Sequence, residues 1–338
     1  MRAIVLDSDD QYRITELDEP APGPGEVAVR VAYAGVQWGD TMVKDGLFPV
    51  PRPFVPGFEA SGHIVAVGPG VDGGRVGERV TALATGGAHA EVVVVPAVLA
   101  LAVGELSLRT AAAFGWGTPT AYDLVHTVAR VREGEHVLIH GAAGGVGGAA
   151  AQFARLAGAG RIVGVAGSAD RAAYAARSGF DRILLREEFP AGLGDERFDV
   201  VLDPVGGPTR QAGLRALAPH GRLVAYGALG GHAPVLADAD DLLGDGRSLM
   251  TYNGNLLSRT HPERLADSAR RALDLLTAGR IRIDVTAEYD PADLGLAVRR
   301  LREGATHGKS VLRVAGRLTP LPASPTGADT RPATPAGT

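Results

Sequence analysis

Apolar and polar positions alternate over short runs through roughly the first 115 residues, in "RAIVL", "EVAVRVAYAGV", "ASGHIVAVGPGV", "RVTALA" and "AEVVVVP". Proline and glycine bound each run, as in "EPAPGPGE", so the pattern predicts short strands joined by turns. The stretch "FPVPRPFVPGFE" is too dense in proline for either regular element and reads as a loop. From Leu106 the texture becomes helical, in "SLRTAAAFGWGTPTAYDLVHTVARV". Beyond it, apolar runs without alternation ("HVLIH", "RIVGVAG", "DRILL", "FDVVLDPVGG", "GRLVAYGA") are separated by helical segments. Strands of this kind, alternating with helices, predict a parallel, doubly wound sheet covered on both faces. A further strand, "SLMTYNG", precedes the amphipathic helix "HPERLADSARRALDLLTAG". The segment "RIRIDVTAEYD", the helix "PADLGLAVRRLREG" and the strand "KSVLRVAG" close the pattern. Residues 317–338, "RLTPLPASPTGADTRPATPAGT", lose periodicity and are rich in Pro, Thr and Ala, so they read as a disordered tail. No internal repeat is visible.

The junction "HGAAGGVGGAAAQFARLAGAG", from His140, puts glycine at 141, 144, 145, 147 and 148 between an apolar strand and an alanine-rich helix. Each glycine inside an element costs roughly 0.5–1 kcal/mol against alanine. A phosphate brought onto bare N–H groups at a helix N-terminus offsets that cost. A mononucleotide loop is the poorer match: Gly308-Lys309-Ser310 leads into a strand, and Glu303 stands where its first glycine belongs. Gly141, Gly144 and Gly147, three apart within a strand–helix–strand unit, fit a dinucleotide turn, with close helix-on-sheet packing as the other reading. The next strand ends without the acid that bonds an NAD ribose and runs into Ser168, Ala169, Asp170 and Arg171. A hydroxyl and a guanidinium suit the 2′-phosphate of NADP, and Ser168 can cap the next helix at the same time. Asp170, within reach of a ribose, keeps NAD open.

The length, 338 residues, allows two domains with proper cores. With 34 basic and 38 acidic residues the net charge is −4, which leaves no electrostatic footprint for nucleic acid or an anionic membrane. No apolar run approaches the ~20 residues of a membrane span. "MRAIVLDSDD" opens as a strand rather than a signal peptide, so a cytoplasmic location is expected. Cysteine is absent, which excludes disulfides, thiolate nucleophiles and thiolate zinc sites. The nine histidines lack zinc-ligand spacing, and no metal is expected.

Seven segments, "AGVQWGDTMVKDGLFP", "FVPGFEASGHIVAVGPGV", "VGERV", "AAAFGWGTPTAYDLV", "VLIHGAAGGVGGAAAQFARLAG", "FDVVLDPVGG" and "HGKSVLRV", resemble the medium-chain dehydrogenase/reductase superfamily. Within it they are most similar to the zinc-free quinone oxidoreductase and enoyl reductase branch. The resemblance implies an α/β fold with a GroES-like, β-rich catalytic domain over 1–118 and a Rossmann NADP(H)-binding domain, a doubly wound parallel sheet, over 119–257. A return to the catalytic domain is implied over 258–316, and homodimers through Rossmann sheet edges. Zinc-dependent members carry Gly-His-Glu where this chain has Gly57-Phe58-Glu59. Carried across by position, Gly144, Gly145 and Val146 line the pyrophosphate, and Gly167, Ser168 and Arg171 surround the adenosine phosphate. Thr120 faces the cofactor, while Tyr226, Gly227 and Asn253 flank the nicotinamide. Lys309 matches the lysine of the family's closing segment. Plain packing for Tyr226 and a surface position for Lys309 are the alternatives.

A nicotinamide without a metal can reduce a carbon that is already electrophilic, in an enone or a quinone. The protein must hold that acceptor, stabilise the enolate oxygen and admit a proton. The family's loop, Gly-Val-Asn-x-x-Asp, appears here with Gln37 for the Asn and with Asp40 retained. Gln37 can still donate to a carbonyl. Met42 and Phe48 occupy the positions of two tyrosines and cannot donate a proton. Water, Tyr252, or His89 in "GGAHAE", where relatives often place an aromatic facing the cleft, remain as donors. His140 reads as structural. Gln37, Asp40 and His89 form the candidate catalytic set. The expected partner is a small apolar or aromatic quinone or enone, an aromatic polyketide-type intermediate included, reduced with NADPH. A non-redox cyclase that holds NADP and a non-enzymatic NADPH-binding protein stay open.

Overall fold

The computed structural model describes residues 1–231 and 239–318. The expected tail lies outside the described residues from 319 onward. Leu318, within them, is fully buried in the core of the first sheet, so packed chain runs past the expected boundary at 316.

The N-terminal half supplies a hairpin, β1 (Arg2–Leu6) with β2 (Tyr12–Glu16), then β3 (Glu26–Val36), α1 (Trp38–Lys44), β4 (Glu59–Val67), β5 (Arg79–Leu83), β6 (Val92–Pro96) and β7 (Ala100–Ala102). Helices α2 (Leu108–Phe114) and α3 (Gly117–Tyr122) lead into a second unit. It comprises β8 (His136–His140), α4 (Gly145–Leu156), β9 (Arg161–Ala166), α5 (Ala169–Ala175), β10 (Arg182–Leu185), β11 (Phe198–Asp203), α6 (Gly207–Arg215) and β12 (Leu217–Ala225). After α7 (Ala239–Gly244) and β13 (Ser248–Thr251) come α8 (Gly254–Thr260), α9 (Pro262–Thr277), β14 (Val285–Tyr289), α10 (Leu294–Arg302) and β15 (Lys309–Arg313).

The first sheet runs β14-β15-β3-β4-β5-β7, with β6 also on β3. Its pairings are antiparallel except β14 with β15. Register here builds the site. Ser310 stands opposite Val36 and Ala60 opposite Ala34, so Lys309 and Glu59 converge on the loop that follows β3.

The second sheet is wholly parallel, in the order β10-β9-β8-β11-β12-β13. Its strands carry unbroken apolar runs because both faces are covered: Val137, Leu138 and Ile139 of β8 are fully buried. The winding reverses between β8 and β11, which opens a crevice at their C-terminal ends, the place where such sheets bind ligands. The glycine turn after His140 sits there.

Helix α9 buries Leu265, Ala266, Ala269 and Leu273 in a cluster that holds Ile139, Phe153 and also Leu99 and Leu101. Its apolar stripe therefore covers the parallel-sheet unit and bridges to the first. The chain rejoins the first sheet only at β14, later than the expected residue 258, because that stripe is matched to the α3 and β8 surface.

Candidate active site

Gly141 has φ +71°, a conformation that side chains with a Cβ rarely adopt, and it turns the chain off β8. Helix α4 then begins with Gly144 at its N-cap and no side chain on the first N–H groups. A Cβ at Gly147 would lie 2.3 Å from the Gly141 carbonyl oxygen, so the helix packs against its own entry turn. The residues fit a pyrophosphate: the cradle is bare backbone that a side chain would fill. Gly144 and Gly145 line a recess with Gly117, Thr118 and Lys309, and Val146 is half-buried beside Gly117. Gly147→Ala is expected to cost about 1–3 kcal/mol by overpacking. Thermal melting measures that loss, and calorimetric titration with NADPH should show a matching fall in affinity.

At the other end of this crevice Gly167 follows β9, and Ser168 caps α5, accepting the Arg171 N–H at 3.4 Å. Parallel pairing sets Leu185 beside Ala166, so the next residues, Arg186 and Gly167, are neighbours. A Cβ on Gly167 would stand 2.9 Å from Arg186 Nη2 and 3.7 Å from Arg171 Nη1. Neither guanidinium has a carboxylate partner among the described residues, and Arg171 Nε is buried without a hydrogen bond. Burial, with Arg186 close by, pulls the Arg171 pKa below the ordinary arginine value. Two adjacent, unneutralised guanidinium forks form a site for a dianion. Arg186 escaped sequence reading because only strand pairing brings it to Gly167.

The loop after β3 is held by Asp40. Its Oδ2 accepts the Gln37 N–H at 2.9 Å and its Oδ1 the Gly57 N–H at 3.1 Å, which caps α1 and ties it to the Gly57 turn. Asp40 is fully buried, and burial pushes its carboxyl above the usual range while His89 opposes the shift. His89 is also fully buried, with Nε2 3.4 Å from the Gly35 carbonyl, and Nδ1 has no partner. Gly57 makes room for it: a Cβ there would lie 2.6 Å from the imidazole. The expectation that His89 faces the cleft is corrected on this point, since the missing Cβ draws the ring beneath the loop. Asp40, with both oxygens engaged by backbone, does not reach the cleft either.

Gln37 is half-buried and spends Oε1 on the Gly39 N–H at 3.0 Å, which leaves its amide nitrogen beside Gly39 and the Phe58 ring. Phe58 meets Phe48 edge-on at 6.1 Å. Trp116 packs on the same cluster and donates its indole N–H to the Phe58 and Ala84 carbonyls. Its ring and the Tyr252 hydroxyl converge on Gly254. Trp116 was not singled out from sequence, where it is one aromatic in an alanine-rich helix. Behind this wall, Glu59 accepts the Trp116 N–H at 2.7 Å and forms a buried ion pair with Lys309.

Among the remaining candidates, Thr120 is half-buried on α3, and the Tyr252 hydroxyl donates to Asp123 Oδ2 at 2.9 Å. Tyr226 follows β12, packs on the large core cluster, and has its hydroxyl pKa raised by burial and by Asp203. Gly227 is exposed and close to Pro204; Asn253 is exposed and caps α8, accepting the Leu256 N–H at 2.9 Å. His140 is buried against Phe189 at 4.6 Å, its pKa driven down to about 4 by burial, as a structural residue would be. Among the described residues no three His, Cys, Asp or Glu side chains are grouped to hold a metal.

Two family models match the chain: an alcohol dehydrogenase GroES-like domain over residues 23–105 and a zinc-binding dehydrogenase domain over 145–271. A phthioceranic/hydroxyphthioceranic acid synthase of Mycobacterium tuberculosis is 31% identical over 312 residues, which is 87% of this chain but 14% of that protein. The chain thus spans about one seventh of the length of that synthase. Mycobacterial Rv1454c, solved as a complex with NADPH, is 31% identical with a TM-score of 0.84, over 93% of this chain and 99% of that one. Escherichia coli quinone oxidoreductase, also complexed with NADPH, is 27% identical with a TM-score of 0.83, over 93% and 100%. The chain belongs to the medium-chain dehydrogenase/reductase superfamily, among whose zinc-free quinone oxidoreductases its structural neighbours lie.

Proposed function

We propose that the protein is an NADPH-dependent, zinc-independent reductase acting on a quinone or on the C=C of an α,β-unsaturated carbonyl. The observation that carries this reading is the unpaired Arg171–Arg186 couple at Gly167, in line with a bare helix start at Gly144. The NADPH complexes of two neighbours support it. When bound, the dinucleotide supplies a hydride. The chain's residues do the rest. Backbone N–H groups of Gly144, Gly145 and Val146 hold the pyrophosphate, with Lys309 alongside, and Arg171, Arg186, Ser168 and Gly167 take the 2′-phosphate. Thr120, Tyr226, Gly227 and Asn253 border the nicotinamide end.

The free Gln37 amide donates to the acceptor carbonyl and strengthens that bond as charge builds on oxygen. Asp40 acts as a positioning residue, locking the Gln37 loop from below, and His89 fills the space beside it. Phe48, Phe58 and Trp116 make an apolar wall that favours a hydrophobic or aromatic acceptor, an aromatic polyketide-type enone included.

A homodimer through the parallel sheet remains part of the proposal. Strand β13 ends that sheet among the described residues, with Leu249 and Leu256 exposed nearby. A cytoplasmic location rests on the cysteine-free composition; no described helix is long and apolar enough to cross a membrane.

Following NADPH absorbance against a panel of quinones and enones tests the function. Gln37→Ala is expected to lower kcat/KM for the acceptor about 100-fold while the KM for NADPH holds. Absence of NADPH affinity in calorimetry overturns the reading; binding with product formation but no NADPH oxidation points to the non-redox cyclase.

A further inference from the structure

Lys309 stands where two sites meet. Its stem lies against the start of α4, where a Cβ at Gly145 would be 2.8 Å from Lys309 Cδ, and it lines the recess with Gly117, Gly144 and Gly145. Its ammonium donates to Glu59 Oε1. The other carboxylate oxygen, Oε2, accepts the Trp116 N–H at 2.7 Å. Trp116 is the N-cap of α3 and packs in the cluster of Phe48 and Phe58. Every step from Gly145 to the aromatic wall is therefore a direct contact: side-chain packing, an ion pair and a hydrogen bond. Gly35 and Gly115 leave the space that Glu59 fills, since a Cβ at either would collide with its carboxylate oxygens. Replacing a buried ion pair by apolar side chains of similar volume is often neutral or stabilising, so holding the fold does not account for this one.

We propose that Glu59 is a positioning residue that couples the phosphate turn to the aromatic wall, so that an occupied turn tightens the hold on the acceptor. The two ligands rest on the reductase reading: a dinucleotide diphosphate at Gly144, Gly145 and Val146, and an aromatic acceptor at Phe48, Phe58 and Trp116. With the turn empty, the ammonium is committed to Glu59. A diphosphate on the first N–H groups of α4 brings negative charge beside the Lys309 stem. The ammonium has three donors, so it can hold a phosphate oxygen and Glu59 together. Shared in this way, it leaves more of the Glu59 charge to the Trp116 N–H, and charge-assisted bonds are the stronger kind. A firmer bond there fixes the start of α3 and, with it, the indole ring. The acceptor then meets a wall already ordered. By linkage, a bound acceptor raises the affinity for the dinucleotide by the same factor. Glu59 touches no reacting atom.

The chain has two tryptophans, Trp38 and Trp116, so Trp38→Phe leaves Trp116 as the sole indole. The probe is 2′-phospho-ADP-ribose, which carries the diphosphate and the 2′-phosphate but no nicotinamide to meet the wall or quench its emission. At saturation we expect the Trp116 emission to shift, with a midpoint equal to the calorimetric Kd of the probe. The calorimetric Kd for menadione, a quinone that stays unreduced without a hydride source, should fall about tenfold. Lys309→Met, and the double variant Glu59→Gln with Lys309→Met, should bind the probe more weakly. At saturation they should show no shift and a menadione Kd changed by less than about twofold. Arg186→Ala also weakens probe binding but should keep both responses in full at saturation, which separates lost affinity from lost coupling. A Trp38→Phe protein that binds the probe and lacks either response, or a Lys309→Met variant that keeps both, overturns the coupling. Both responses intact, with no acceptor reduced by NADPH, support the coupling and overturn the reductase reading instead.

Discussion

Alanine at both Arg171 and Arg186 is expected to raise the KM for NADPH about 100-fold and leave that for NADH within about threefold. The guanidiniums flank Gly167 with no carboxylate partner among the described residues, so their charge is directed at whatever occupies the end of β9. Each charge-assisted bond to a phosphate contributes about 1.5–3 kcal/mol, and the partial exposure of this strand end places the pair toward the lower end. NADH lacks the 2′-phosphate and gains nothing from either arginine. Arg186→Ala alone should also leave the cofactor-free protein as stable as before or more so, because it relieves a like-charge contact. Steady-state KM values for both dinucleotides, with melting curves, measure this. Parallel rises for NADPH and NADH would mean that the arginines merely shape the loop.

Glu59→Ala should destabilise the fold by about 3–5 kcal/mol, the largest stability effect expected of any site residue. Glu59 is fully buried, and the side chain of its ion-pair partner Lys309 is only 9% exposed. Truncation strands the Lys309 ammonium and the Trp116 N–H at once. The backbone crowds in on the carboxylate: a Cβ at Gly35 or Gly115 would stand 2.1 or 1.9 Å from its oxygens, so no larger replacement fits. For a chain of this size the melting temperature should fall by on the order of 10 °C. The double variant Glu59→Gln with Lys309→Met should recover part of the loss, since it removes both charges and keeps an acceptor for Trp116. A single Glu59→Ala variant that melts like the wild type would show that the pair is not coupled to folding.

The alternating and continuous apolar runs specified both sheets, and glycines 141, 144 and 147 marked the bare helix start that would suit a phosphate, because periodicity and missing side chains are local properties of a chain. Phe58 and the absence of cysteine spoke just as directly about metal chemistry. Segment order carried the family as well. Convergence of distant residues is another matter. Arg186 reaches Gly167 only through the register of β10 on β9, and Lys309 reaches Glu59 only because β15 pairs with β3. Asp123, Tyr252 and Ser268 meet only after α3, β13 and α9 have packed. His89, a cleft residue by its place in the chain, turns inward because Gly57 leaves a hole beneath the loop. Local sequence thus determined the strands, the helices and the phosphate turn, while side-chain burial and partnership depend on strand register and packing between elements, which tertiary structure alone decided.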